Sequence, residues 1–153
     1  MTESWDAEFR PRVLPRVAWA VAGVLAVTGI LVGVFNNRSS GAFIRAVDQV
    51  SYAGLAVVLA AVLVALATRP RLRVGPAGLA VRNVLDERLI PWPEVVDIAF
   101  PASKRWPRVE LQAYEYVPVL AIQSFDRDRA VDAMDTVRDL MARYRPDPVT
   151  VQD

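Results

Sequence analysis

The sequence predicts an α+β chain: two N-terminal transmembrane helices, then a compact antiparallel β sandwich or barrel capped by one C-terminal helix. Three observations carry this. Two long uncharged apolar runs occupy the first half of the chain. After Thr68 the hydrophobic pattern switches to the two-residue period of half-buried strands. A final segment then shows a single three-and-four-residue apolar stripe.

Val17–Phe35 runs about 19 residues without a charge, enough at 1.5 Å per residue to cross a ~30 Å hydrocarbon layer. Val50–Ala67 is a second such run, at the short end of the spanning range. The first run exceeds a signal-peptide core of ~7–15 residues, and VFNNRSSG after it offers no A-x-A site, so it reads as a retained anchor. Arg10, Arg12 and Arg16 precede the first run, and Arg69, Arg71 and Arg73 follow the second. Arg38 and Arg45 are the only basic residues between the runs. The positive-inside rule therefore expects a multi-pass inner (plasma) membrane protein with both termini cytoplasmic.

The expected division is a cytoplasmic segment 1–16, spans 17–35 and 50–67, an external loop 36–49, a folded domain 71–145 and a tail 146–153. Within the loop, Gly41–Gln49 either extends the second helix, capped by Ser39 or Ser40 with Arg45 near Asp48, or is irregular. Small residues mark one face of each span: Ala22, Gly29 and Gly33 in the first, Gly54, Ala61 and Ala65 in the second. Gly29 and Gly33 make a GxxxG spacing, which suits packing of the spans on each other or a homodimer.

Arg71–Val74 alternates, Gly75–Gly78 turns, and Leu79–Asn83 alternates again. Arg88–Ile90, Val95–Phe100, Pro107–Ala113 and Tyr116–Gln123 read as further short strands, punctuated by Pro91, Pro101 and a turn at Tyr114-Glu115. Between Pro91 and Pro93, Trp92 is expected to fill a corner against the core. In the next strand Val96, Ile98 and Phe100 should share one face and leave Asp97 on the wetter one with Val95 and Ala99. Asp126 is the expected N-cap of the last helix, with Asp128 in its first turn. The stripe Ala130, Val131, Met134, Val137, Leu140, Met141 and Tyr144 faces the sheet, and Pro146 ends the helix.

"LRVGPAGLAVRN" (Leu72–Asn83), "LIPWPEVVDIAF" (Leu89–Phe100) and "YVPVLAIQSFDRDRAVDAM" (Tyr116–Met134) resemble the membrane-anchored bacterial PH-domain proteins of actinobacteria, a family that includes the low molecular weight protein antigen 6 group. The resemblance covers Arg71 to about Arg145. It implies a PH-like fold: two roughly orthogonal antiparallel sheets of about seven strands, capped by a C-terminal helix.

Composition narrows the chemistry. The chain has no Cys and no His, which removes thiolate metal sites, disulfides and His-dependent nucleophilic triads. Its net charge is +1, which does not suggest a nucleic-acid partner. Asp126, Asp128 and Asp132 lack the glycine and terminal glutamate of a calcium loop, and no Gly-Lys-Ser phosphate cradle occurs. Neither an enzyme nor a cofactor is expected. Eukaryotic PH domains hold phosphoinositides with basic residues at the first hairpin loop, but here that loop is the uncharged Gly75–Gly78. The contact candidates are instead Lys104, Arg105, Trp106 and Arg108, with Arg69, Arg71 and Arg73, as a surface for anionic lipid headgroups or a protein. The expected function is an adaptor that binds a protein partner or the headgroup layer. The alternative is a structural subunit of a larger transporter or envelope complex that assembles through its two helices.

Overall fold

A computed structural model describes residues 4–36 and 42–145. The Ser39 or Ser40 cap, the Arg45–Asp48 pair, Pro146 and the 146–153 tail lie outside the described residues and side chains. The chain divides into two compact units. Val13–Thr68 forms one, and the segments before and after it together form the other.

In the first unit, α1 (Val13–Asn36) and α2 (Ala42–Thr68) pack on each other. Both are long and apolar enough to cross a membrane, over Val13–Phe35 and Ser51–Thr68. Pro15 sits in the first turn of α1, where a missing N–H costs the helix nothing. Because α2 starts at Ala42, the Gly41–Gln49 region is helical almost throughout. Gly29 meets α2 closely: a Cβ there would lie 2.4 Å from that of Ala56. Gly29 thus serves the α1–α2 contact. On α2 the buried positions among the described side chains are Ala60 and Ala67, while Gly54, Ala61 and Ala65 stay exposed. Alanine occupies more than one face of α2, so composition did not select the one that packs.

The second unit holds two antiparallel sheets and a helix. β2 (Arg71–Gly75), β3 (Gly78–Arg82) and β4 (Glu87–Ile90) form one sheet, joined by an N-terminal strand, β1 (Ala7–Phe9), in the order β1-β2-β3-β4. β5 (Val95–Ala99), β6 (Arg108–Leu111) and β7 (Tyr116–Pro118) form the other, in that order. α3 (Asp128–Tyr144) follows. Leu72, Val74, Leu79, Val81 and Ile90 of the first sheet meet Val95, Ile98, Val109 and Val117 of the second in one core, closed by Ala133, Met134, Val137 and Leu140 of α3. The folded domain read as 71–145 therefore also takes in the residues before α1. Glu8 pairs across from Arg73, Asp6 donates its N–H to Val74 O at 2.9 Å, and the Tyr144 hydroxyl donates to Asp6. Ser4 and Trp5 pass so close to Gly75 that a Cβ there would lie 2.8 Å from Ser4 O.

Five local expectations are corrected. A bulge between Val95 and Asp97 resets the alternation, so Val95 and Ile98 are buried and Val96 only half-buried, while Asp97 stays exposed. β6 ends at Leu111, where the chain enters a 3-10 turn at Gln112–Tyr114. β7 ends at Pro118, and the buried run Ala121-Ile122-Gln123 breaks the alternation that a longer strand would need. Asp126 does not cap α3. It lies in a 3-10 turn and receives the Arg12 N–H at 3.4 Å, while the cap position is Arg127, with φ 48°. Of the helix stripe, Val131 is exposed and Ala133 takes the buried place, with Met141 and Tyr144 packed at the core's margin.

Candidate functional site

The seven contact candidates fall into two groups, on different sheets. Lys104–Pro107 lies in the loop that leads into β6, where Lys104 N–H bonds Pro101 O to make a turn, and Arg108 is the first residue of that strand. Two backbone bonds tie this loop to the segment before α3: Ser124 N to Arg105 O and Val119 N to Pro107 O, each 2.9 Å. Pro107 is buried beneath, while alternation turns Trp106 and Arg108 outward.

The pairing brings aromatic rings under the arginines. The Arg105 guanidinium lies 5.1 Å from the Phe125 ring centroid, and that of Arg108 lies 5.5 Å from Tyr116. Both distances suit cation–π contact. Arg108 also donates to Glu110 from Nη2 at 2.6 Å and Nε at 2.9 Å. Trp106 is 38% exposed, Phe125 52% and Tyr116 62%, so this is an apolar, cationic surface open to solvent. Neither Phe125 nor Tyr116 stood out in the sequence. Phe125 is an aromatic out of phase with the α3 stripe, and that was its one signal. Tyr116 comes opposite Glu110 and beside Arg108 only through the β6–β7 register.

The second group lies at the start of β2, where Arg71 and Arg73 continue the every-second-residue spacing that begins at Arg69, two residues before the strand. Arg73 bonds Glu8 at 3.0 Å, Arg71 lies 3.7 Å from Glu87, and Arg69 donates to Val84 O at 3.2 Å. Glu8 also receives Arg10 at 2.7 Å. Desolvation pushes the Glu8 carboxyl upward, but hydrogen bonds and attraction from Arg10 and Arg73 outweigh it and hold the pKa below the ordinary 4.5. Among the described residues no hydrogen bond, ion pair or ring contact joins the two groups. A cleft of about 60 Å³ between β1 and α3, lined by Glu8, Phe9, Gln123 and Arg129, is far below the ~300 Å³ of small-molecule sites.

A family model described as Bacterial PH domain matches residues 69–140. Uncharacterized protein Rv1417 of Mycobacterium tuberculosis is 49% identical over 144 residues, which is 94% of this chain and 93% of that protein. Uncharacterized protein Mb1452 of Mycobacterium bovis matches to the same extent. The chain belongs to the family of these mycobacterial proteins and carries a bacterial PH domain. Their similarity runs through the two apolar helices as well as the PH domain, since it spans nearly the whole chain. No solved structure matches the chain significantly. The narrower likeness to the low molecular weight protein antigen 6 group rests on the sequence motifs alone. In this bacterial PH domain the first hairpin loop, between β2 and β3, is Pro76-Ala77, without a cation to offer a phosphate.

Proposed function

We propose that this chain is a non-enzymatic inner-membrane protein with two spans, whose cytoplasmic PH domain is an adaptor for a protein partner. One observation carries the reading: Arg105 and Arg108 stack on exposed Phe125 and Tyr116 beside exposed Trp106. Tryptophan, tyrosine and arginine are the side chains that dominate binding energy at protein interfaces. Stacking also restricts the two arginines before any partner arrives, which lowers the ordering cost of association. The lack of any His or Cys supports a binding role over a catalytic one.

The topology has its own support. β1 and β2 are hydrogen-bonded neighbours, β1 precedes α1 by three residues, and β2 follows α2 by two. A sheet cannot form across a bilayer, so the start of α1 and the end of α2 belong on one side, in line with the arginine bias. Cleavage after α1 would remove β1 from its sheet, which favours a retained helix. A reporter fused after Asp153 is expected to be active only in the cytoplasm, and one inserted at Ser40 only outside. The opposite pattern would move the PH domain to the exterior.

The adaptor reading is tested by co-purification of the full chain from its own membranes in mild detergent. Arg105→Ala with Trp106→Ala is expected to weaken capture of the enriched partner by about 30-fold or more. Equal capture by wild type and variant sinks the reading. A second reading, a subunit that assembles through its helices, is favoured by an apolar groove of about 490 Å³ along α1 and α2. Ala22, Gly23, Ala26, Ala60 and Ala61 line much of it, and small residues permit close helix approach. That reading holds if the partner survives the double substitution but is lost when both spans are exchanged for unrelated ones.

A further inference from the structure

We infer that the outer face of the β1–β4 sheet is a second binding surface, specific for the phosphate-bearing headgroups of anionic lipid. It rests on the reading of α1 and α2 as membrane spans and is separate from the aromatic face. The inference starts from the sheet register. Glu8, Arg73, Ala80 and Leu89 lie across from one another in successive strands, and Arg71, Arg82 and Glu87 form the adjacent row. Alternation places all of these side chains on the face opposite the core.

The result is an arginine lattice. Glu8 bridges Arg10 and Arg73 at 2.7 and 3.0 Å, and Glu87 stands 3.7 Å from both Arg71 and Arg82. Among the described residues these two are the carboxylates within 4.0 Å of the four guanidiniums, which leaves two positive charges over. Arg71 and Arg73 are held against the sheet, with 17% and 30% of their side chains exposed. Glu87 holds its two arginines loosely. A phosphate oxygen, which guanidinium binds in bidentate fashion, can take up donors that Glu87 leaves open.

The position of these arginines in the chain selects the ligand. Arg10 stands three residues before α1, and Arg71 three residues after α2. Basic clusters immediately beside spans meet the anionic headgroup layer, and each engaged arginine contributes a factor of about five in affinity. The whole chain carries only +1, so the excess is local to this face rather than a general polycation able to hold nucleic acid. Arg82 and Arg10 were not marked by the sequence as partners of Arg71 and Arg73. Strand pairing assembles them.

The test uses the full chain in nanodiscs. The chain has no cysteine, so Leu89→Cys, at an exposed position on this face, gives a single fluorophore site. Headgroup-spin-labelled lipid should quench that fluorophore in discs of phosphatidylcholine with one quarter phosphatidylglycerol. Pure phosphatidylcholine should give little quenching, and 1 M salt should remove the difference. Arg71→Gln with Arg82→Gln is expected to lower the quenched-to-unquenched ratio roughly 25-fold, the product of two such factors. Glu87→Gln should raise the ratio, an opposite sign that a merely unfolded variant cannot give. A second fluorophore, at Val27→Cys in α1, should be quenched by acyl-chain spin label in both discs. If the Val27 label is quenched while the Leu89 label ignores lipid charge, the lattice inference is overturned and the spans stand. If the Val27 label is not quenched, the span reading falls and takes the lattice inference with it.

Discussion

Trp92→Ala is expected to destabilise the PH domain by about 3–5 kcal/mol, among the largest losses available in this chain. The indole is 5% exposed and donates Nε1–H to Gly75 O at 2.9 Å. It also stacks on Tyr144, with centroids 5.8 Å apart and planes 25° from parallel. One side chain therefore joins the β2–β3 hairpin, the corner between the two sheets, and the last turn of α3. Alanine leaves a cavity at that junction and strands the Gly75 carbonyl without its donor. Trp92→Phe separates the two losses: it keeps most of the buried surface but not the hydrogen bond. Its expected cost is about 1–3 kcal/mol, that of an unsatisfied buried acceptor. Urea unfolding of the full chain in detergent, followed by near-ultraviolet circular dichroism, measures both. A Trp92→Ala loss below about 1 kcal/mol would mean that the corner is held by other contacts.

The corner shows how far local pattern reaches. Pro91-Trp92-Pro93 signals a stop, a bulky apolar residue and a restart, and these become a 3-10 turn with Trp92 turned inward. β2 through β6 were legible for the same reason, since alternation with Gly or Pro punctuation is a local signal. β1 was not. It has three residues, the middle one exposed and the outer two half-buried, and the contacts that hold it and the residue before it come from far along the chain: Arg73, Val74 and Tyr144. The bulge at Val96 was equally hidden, because one extra residue in a strand leaves no mark in composition. α3 was legible from its stripe to within one residue, and the substitution of Ala133 for Val131 is a matter of helix rotation that the neighbouring sheet decides.

For the candidate site, adjacency in sequence was the limit. Lys104, Arg105, Trp106 and Arg108 are neighbours in the chain, so their shared character was visible. Phe125 and Tyr116 join them only because Ser124 bonds Arg105 and β7 pairs with β6. The arginine lattice repeats the lesson. Arg69, Arg71 and Arg73 could be read from their spacing, but the carboxylate partner of Arg73 lies 65 residues earlier, at Glu8, and that of Arg71 two strands on, at Glu87. Periodicity tells which side chains share a face of one strand, whereas register tells what stands opposite them.

Gly78→Ala is the second large effect, with an expected cost of at least about 3 kcal/mol. Gly78 has φ +132°, a conformation that L residues rarely adopt, and strain of this kind costs about 1–3 kcal/mol by itself. Space adds to it. A Cβ at this position would lie 2.1 Å from Ile90 O and 2.9 Å from Pro91 Cα, all backbone, so no side-chain rotation relieves the clash. The two strands must separate where β3 pairs with β4, and that moves Pro91 and the Trp92 corner behind it. The substitution thus attacks the same junction as Trp92→Ala from the opposite side, and the two are expected to be less than additive because each removes part of what the other loses. Gly54→Ala is the matched control: nothing lies within 4 Å of its added methyl, and a helix gains up to about 1 kcal/mol from the exchange. The same urea experiment reads all three. Equal stability of Gly78→Ala and wild type would show that the hairpin can shift by more than an ångström without cost, and the tight β3–β4 packing would then not be what fixes the corner.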